Sequence, residues 1–169
     1  LFLSGGTTLK GFGKAAGVPA GTWASGTNLN TARDSSTGVG TATANLVSGG
    51  NSPSNGYYAI VEQWNGSSWT ETGDLNTARR AGFSSQKGTV TATIVASGNH
   101  PGIGNTESWD GSSWTEVGDV NTGREAGSDI GIQTSAMFAG GIGNITNNEI
   151  WDGTSWTESA EINTGRHYV

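Results

Sequence analysis

The apolar positions of this 169-residue chain come in short runs, and no window sustains a helical period. Runs such as Ala42 to Val47, Thr91 to Ala96 and Thr134 to Ala139 mix threonine with aliphatic side chains and end at glycine. Threonine and aromatic residues fit a pleated, half-buried strand, and the glycines fit turns and close strand packing. A second kind of run ends in tryptophan, as in Ala59-Ile60-Val61-Glu62-Gln63-Trp64. Five residues further on stands another tryptophan, and the stretches between read WNGSSW, WDGSSW and WDGTSW at 64–69, 109–114 and 151–156. Asn-Gly and Asp-Gly tolerate positive φ, so each stretch predicts a tight hairpin turn. A shorter segment, such as Ala81 to Ser85, follows each arginine and leads to a turn near Lys87-Gly88. The pattern predicts an all-β chain with four short strands in each unit.

The units repeat. Trp23, Trp69, Trp114 and Trp156 are spaced 46, 45 and 42 residues apart. Asn30, Asn76, Asn121 and Asn163 keep the same spacings and open the phrases NTAR (30–33, 76–79) and NTGR (121–124, 163–166). Four-stranded units at this period point to propeller blades. The register places blade one at 1–29 plus 163–169, blade two at 31–75, blade three at 77–120 and blade four at 122–162. Residues 1–6 align with the second strand of a blade, and the tail offers a first strand. The expected fold is therefore one domain over 1–169: four blades of four antiparallel strands, closed by pairing of the tail with residues 1–6. Closure would remove exposed sheet edges. The alternatives are a fragment of a larger propeller, or two chains completing an eight-bladed ring as a homo-oligomer.

The double glycines at 5–6, 49–50 and 140–141, the aromatic-Asn/Asp step ending the third strand, the later tryptophan and the basic residue before the next blade resemble the kelch family across essentially the whole chain. Trp-Asn and Trp-Asp stand where that family usually has Tyr-Asp. The resemblance implies a kelch-type β-propeller and no particular activity, because propellers host many. The threonine-rich style of the NTAR and WNGSSW phrases is also similar to repeat proteins of aquatic bacteriophages.

Composition narrows the function classes. Glycine is abundant, at 29 residues, and only 13% of residues are charged. That polar mix alone would suit disorder, but seven regularly placed tryptophans argue for a packed core. A net charge of −6 argues against nucleic acid as a partner. No apolar run approaches the ~20 residues of a membrane helix, and no membrane partner is expected. The chain lacks cysteine, which excludes thiolate chemistry. It starts at Leu1 without methionine or a basic leader, as expected of a processed product, a fragment of a longer chain or an incompletely known start.

Repetition assigns most conspicuous side chains to scaffold. Trp23, Trp64, Trp69, Trp109, Trp114, Trp151 and Trp156 could stack on sugars, but their recurrence fits packing between blades better. Arg33, Arg79, Arg124 and Arg166 could bind a carboxylate; the plainer expectation is an inter-blade bond to Asp74, Asp119 or a backbone carbonyl. Glu62, Glu71, Glu107, Glu116, Glu149 and Glu158 could include a hydrolytic pair, yet their repetition favours solvated strand faces. His100 and His167 show no ligand spacing, so no metal, no cofactor and no catalytic residue is expected. What differs between units is the loop after the glycines. Its candidate binding residues are Asn55, Tyr57 and Tyr58, then His100 and Asn105, then Asn144 and Asn147, set on loops that a rigid scaffold would display. The expectation is a non-enzymatic binding or structural module, virion-borne or extracellular, recognising a host surface glycan or another virion protein. Its rivals are a kelch adaptor for a protein partner and a glycoside-active enzyme.

Overall fold

The computed structural model describes residues 26–54, 56–99 and 103–167, together with the backbone of two short paired strands, β1 (Phe2–Leu3) and β2 (Leu9–Lys10). Three four-stranded antiparallel sheets follow, each a meander of consecutive strands. The first holds β3 (Thr37–Gly40), β4 (Asn45–Ser48), β5 (Val61–Trp64) and β6 (Trp69–Glu71). The second holds β7 (Phe83–Ser84), β8 (Thr93–Ala96), β9 (Thr106–Trp109) and β10 (Trp114–Val117). The third holds β11 (Ser128–Ile132), β12 (Ser135–Ala139), β13 (Asn148–Trp151) and β14 (Trp156–Ser159). No helix occurs among the described residues.

Each tryptophan pair brackets a hairpin. Trp64 faces Trp69, Trp109 faces Trp114 and Trp151 faces Trp156 directly across the ladder, with ring centroids 5.1–5.4 Å apart. At the tip, Asp110 Oδ1 accepts from the amides of Ser112 and Ser113, both at 2.8 Å, while Gly111 takes a φ of 99°. Asn65 and Asp152 bracket their turns the same way. The donors hold the Asp110 carboxyl at about 2, well below its ordinary value, with the Ser113 amide as the largest cause.

The period of two along each strand builds two separate cores between the sheets. Val39, Leu46, Val61 and Leu75 of the first sheet and its exit segment pack with Val95, Trp109 and Trp114 of the second. Phe83, Ile94, Ala96 and Val120 then pack with Ala136, Phe138, Trp151 and Trp156 of the third. The tryptophan pair of a sheet thus faces the sheet before it. The opposite face offers a row to the sheet after it: Val39 and Leu46 in the first sheet, Ser85 and Ile94 in the second, all buried. In the third sheet the matching row is Ile130, Met137 and Ile150, aligned across β11, β12 and β13, and it is 47%, 39% and 43% exposed. The first strands lie side by side, with β7 between β3 and β11.

Against the expected four blades, the described residues form three four-stranded sheets and one two-stranded pair, with no closed ring. The tail does not pair as a strand over 163–167; its phrase is held instead as a connector, with Gly141 N donating to Arg166 O at 2.9 Å. Phe2–Leu3 pairs with Leu9–Lys10. The remainder of the closure expectation, on residues 1, 4–6, 168 and 169, lies outside the described residues.

Candidate functional site

The meander sorts its connections to two ends. The hairpins between first and second strands and between third and fourth strands share one end. The long loops between second and third strands (49–60, 97–105, 140–147) share the other end with the NTAR and NTGR phrases. At that second end the loop of one sheet is stitched to the phrase that follows it. Gly50 N donates to Arg79 O at 2.8 Å, Gly98 N to Arg124 O at 3.1 Å and Gly141 N to Arg166 O at 2.9 Å. Backbone contact is close here: a Cβ added at Gly123 or Gly165 would collide with the carbonyl of Ile103 or Asn144 in the facing loop.

The double glycine adopts positive φ, 62° and 120° at Gly49-Gly50 and 72° and 143° at Gly140-Gly141. In the middle sheet Ser97 takes the first position with a φ of 54°. Left-handed backbone is unusual for a residue with a Cβ. Its hydroxyl gains two buried bonds there, accepting from Arg124 N and donating to a carbonyl, that of Ile103 at 3.1 Å or of Arg124 at 2.6 Å. Sequence reading saw only Gly98 at this point. Ser97 could not be found from it, because a serine gives no sign of its φ.

Beneath the loops lie three polar clusters of one design. Glu62, Glu107 and Glu149 are each fully buried, contrary to the expectation of solvated strand faces. Glu107 accepts from Asn76 N at 2.6 Å, Asn76 Nδ2 at 2.9 Å, Thr77 N at 3.1 Å and Arg79 Nη2 at 2.6 Å. Glu149 accepts from Asn121 N and Nδ2, Thr122 N and Arg124 Nη1. Glu62 accepts from Asn30 N at 2.7 Å and Thr31 N at 3.2 Å, with Arg33 Nη1 2.9 Å away. The arginines were expected to bond Asp74, Asp119 or backbone carbonyls. For Arg33, Arg79 and Arg124 the charged partner is instead the glutamate on the third strand of the next sheet, with carbonyls such as Ser97 O and Phe138 O taking remaining donors. A buried charge must be paired and hydrogen-bonded, which is why acid and base meet here. Glu71, Glu116 and Glu158 stand directly opposite these glutamates and are exposed. Burial pushes the Glu149 carboxyl up, but the donors from Arg124 and Asn121 outweigh it and hold the group below its ordinary range. Desolvation lowers Arg79 despite Glu107.

The variable-loop residues are placed as follows. Tyr57 and Tyr58 are half-buried, and the Arg80 guanidinium lies 5.6 Å from the Tyr57 ring centre. Asn105 is half-buried, its carbonyl accepting from Arg79 at 2.7 Å. Asn144 is exposed with a φ of 58°, and Asn147 is half-buried, donating to Glu158 at 3.4 Å. Between the second and third sheets the loops at 97–105 and 140–147 border an open cleft of about 250 Å³, lined by Asn99, Arg124, Glu125, Ile142 and Ile145 among others; Tyr57, Tyr58, Asn105, Asn144 and Asn147 do not line it. The expectations for Trp23, Asn55 and His100 lie outside the described residues. His167 is exposed, and among the described residues no three acidic or histidine side chains are grouped to hold a metal.

Among the described tryptophans the indole N–H groups are spent on structure. Trp64, Trp109 and Trp151 donate within their own sheets, to the carbonyls of Ala42, Val90 and Gln133. Trp114 donates back to Gly73 O at 2.9 Å, and Trp156 to Thr106 Oγ1 at 2.9 Å, both in the preceding unit. No family model matches the chain, and no curated protein matches it.

Proposed function

We propose that this chain is a non-enzymatic recognition module, a kelch-type β-propeller whose variable loops bind a host surface glycan or another virion protein. The observation that carries the reading is the division of labour at one end of the sheets. In three of the four phrases the recurring Asn and Arg are engaged by a buried Glu of the next sheet, while the differing loops at 97–105 and 140–147 meet around an open cleft. Rigid elements below and irregular polar loops above are a common arrangement for binding. A virion-borne or extracellular setting rests on the phage-like repeat style and the cysteine-free, acidic composition. The glutamates being salt-bridged to arginines speaks against a hydrolytic pair among them. Binding of the folded protein to a glycan array, lost on Tyr57→Ala or Asn144→Ala, is the expected result. Uniform absence of glycan binding together with no association with virions would overturn it. An adaptor for a protein partner is the second reading, favoured by Ile142, 39% exposed in the cleft wall.

The same proposal includes ring closure. In the exposed row Ile130, Met137 and Ile150, the first two stand at positions that each earlier sheet buries under its successor, and the unit holding Trp23 is the successor available in this chain. Seven residues before the second tryptophan of each later unit stands Glu62, Glu107 or Glu149; in the first unit that position is Ala16. If this unit docks on the third sheet, Ala16→Glu supplies the missing carboxylate to Arg166. A gain of ~1 kcal/mol would raise the melting temperature by about 2–4 °C. An unchanged melting temperature would count against closure.

A further inference from the structure

We infer that Asn163–Arg166 is a carboxylate-binding site whose carboxylate this chain does not supply. The three earlier phrases serve as internal standards, because each holds a buried carboxylate with the amides of its Asn and Thr and with its arginine. The fourth phrase is set in the same backbone frame. Ile162 N donates to Thr146 O at 3.0 Å, as Leu75 N does to Ala59 O and Val120 N to Gly104 O. Arg166 O accepts from Gly141 N as Arg79 O does from Gly50 N. The guanidinium even turns back in the same way: Arg166 Nε donates to Thr164 O at 3.4 Å, matching Arg79 Nε to Thr77 O at 3.2 Å. Yet Thr164 and Arg166 are exposed where Thr77 and Thr122 are half-buried and Arg79 and Arg124 buried, and the nearest acid in sequence, Glu161, accepts from Thr146 Oγ1 at 2.7 Å instead.

The chemistry of the ligand follows from what surrounds the phrase. A carboxylate is planar and takes two donors on each oxygen, which suits two backbone amides, an Asn amide and a guanidinium. Beside Arg166 lies an open hollow of about 320 Å³ walled by Ser128, Ala139 and Ile162. In the second sheet the matching residues, Phe83, Ala96 and Val120, are covered by Trp151 and Trp156. The site therefore fits a carboxylate carried on a flat apolar group. An aromatic acid provides that chemistry, and so does a β-strand bearing Glu-x-Trp. The donor set stands on residues 162–166 and the hollow on Ser128, Ala139 and Ile162. Docking of the unit that holds Trp23 would cover the hollow, so acetate binding tests the donors and the added affinity of indole-3-acetate tests the open hollow.

The test is a titration of the whole protein followed by the backbone amides of Asn163 and Thr164 in ¹⁵N NMR. Acetate should shift both saturably, and chloride at equal ionic strength should not. Indole-3-acetate should bind at least about tenfold tighter than acetate, indole-3-acetamide should be weaker than either acid, and Arg166→Gln should lose about tenfold for both acids. The amides of Asn76 and Asn121 should stay still, since their carboxylates are in place. A peptide with the sequence of residues 148–159 distinguishes the two sources. Tighter binding than indole-3-acetate, lost on Glu149→Gln in the peptide and kept on Glu158→Gln, identifies a strand as the natural ligand; weaker binding identifies a free acid. No saturable shift, equal shifts at all phrases, or undiminished binding in Arg166→Gln would overturn the inference. Ala16→Glu separates it from ring closure: failure to stabilise the protein tells against closure, whereas acetate binding in the wild type is untouched by that result.

Discussion

Asn76–Arg79 and Asn163–Arg166 hold nearly the same four residues in the same backbone frame, and differ in what arrives over them. Over the first lies the second sheet, which delivers Glu107 and buries Arg79 to 1% exposure; Arg166 stays exposed. The phrase therefore does not create a buried ion pair by itself. It creates a set of donors, and the carboxylate comes from a strand some thirty residues onward, 28 for Arg79 and Glu107. Removing that carboxylate should give the largest effect in the molecule. Glu107→Ala leaves the buried Arg79 guanidinium without its charged acceptor and the partly buried Asn76 and Thr77 amides without theirs, at a cost of about 3–5 kcal/mol. Arg166→Ala, on the exposed phrase, should stay within about 0.5 kcal/mol. Urea unfolding of both variants measures the contrast, and similar midpoints for the two would break it.

The contrast also says why some of the molecule was legible in the sequence and some was not. Strand positions, the Trp-turn-Trp hairpins and the unit length were readable because they depend on local chemistry: a run of β-formers, an Asn/Asp-Gly step, a tryptophan at a fixed interval. The structure puts β8 at 93–96 where the run 91–96 was read, and β12 at 135–139 where 134–139 was read. The glutamates were misjudged because alternation along a strand tells which residues share a face, not whether another element covers it. Glu62 and Glu71 look equivalent in the sequence and stand opposite each other, yet only Glu62 receives the NTAR phrase of 30–33. The charged partners of the arginines were missed for the same reason, since the nearer acids, Asp74 and Asp119, are exposed, while backbone carbonyls do accept from Arg79 and Arg124. The fourth phrase shows the converse. Its spacing promised one more strand of a closed ring, and its backbone instead repeats the connector geometry of the others.

A smaller effect compares two carboxyls shifted in opposite directions on either side of β12, the buried Glu149 and the half-buried Asp129. Glu149, on β13, is held below its ordinary 4.5 because the Arg124 and Asn121 donors outweigh burial. Its folded form keeps the charge to lower pH than the unfolded chain does. The stability it gives is complete above pH 4.5 and is lost as pH falls through the lower folded value. Asp129, on β11, is pushed above its ordinary 3.8 by burial, although Ser84 N donates to it at 2.6 Å and Gln86 Nε2 at 2.8 Å. Here the unfolded chain ionises first, so stability falls as pH rises from 3.8 through the raised folded value and is constant beyond it. The two neutral variants should separate these slopes. Glu149→Gln should be much less stable than wild type at neutral pH, and the gap should narrow as pH drops below 4.5. Asp129→Asn keeps an acceptor for Ser84 N, and Gln86 can rotate its amide to meet the new donor. Its stability relative to wild type should therefore rise between acid and neutral pH. Unfolding midpoints at half-unit steps from pH 3 to pH 7 give both difference curves. Curves of the same sign would show that burial does not dominate at Asp129, and that its contacts with the second sheet act on it as the Arg124 socket acts on Glu149.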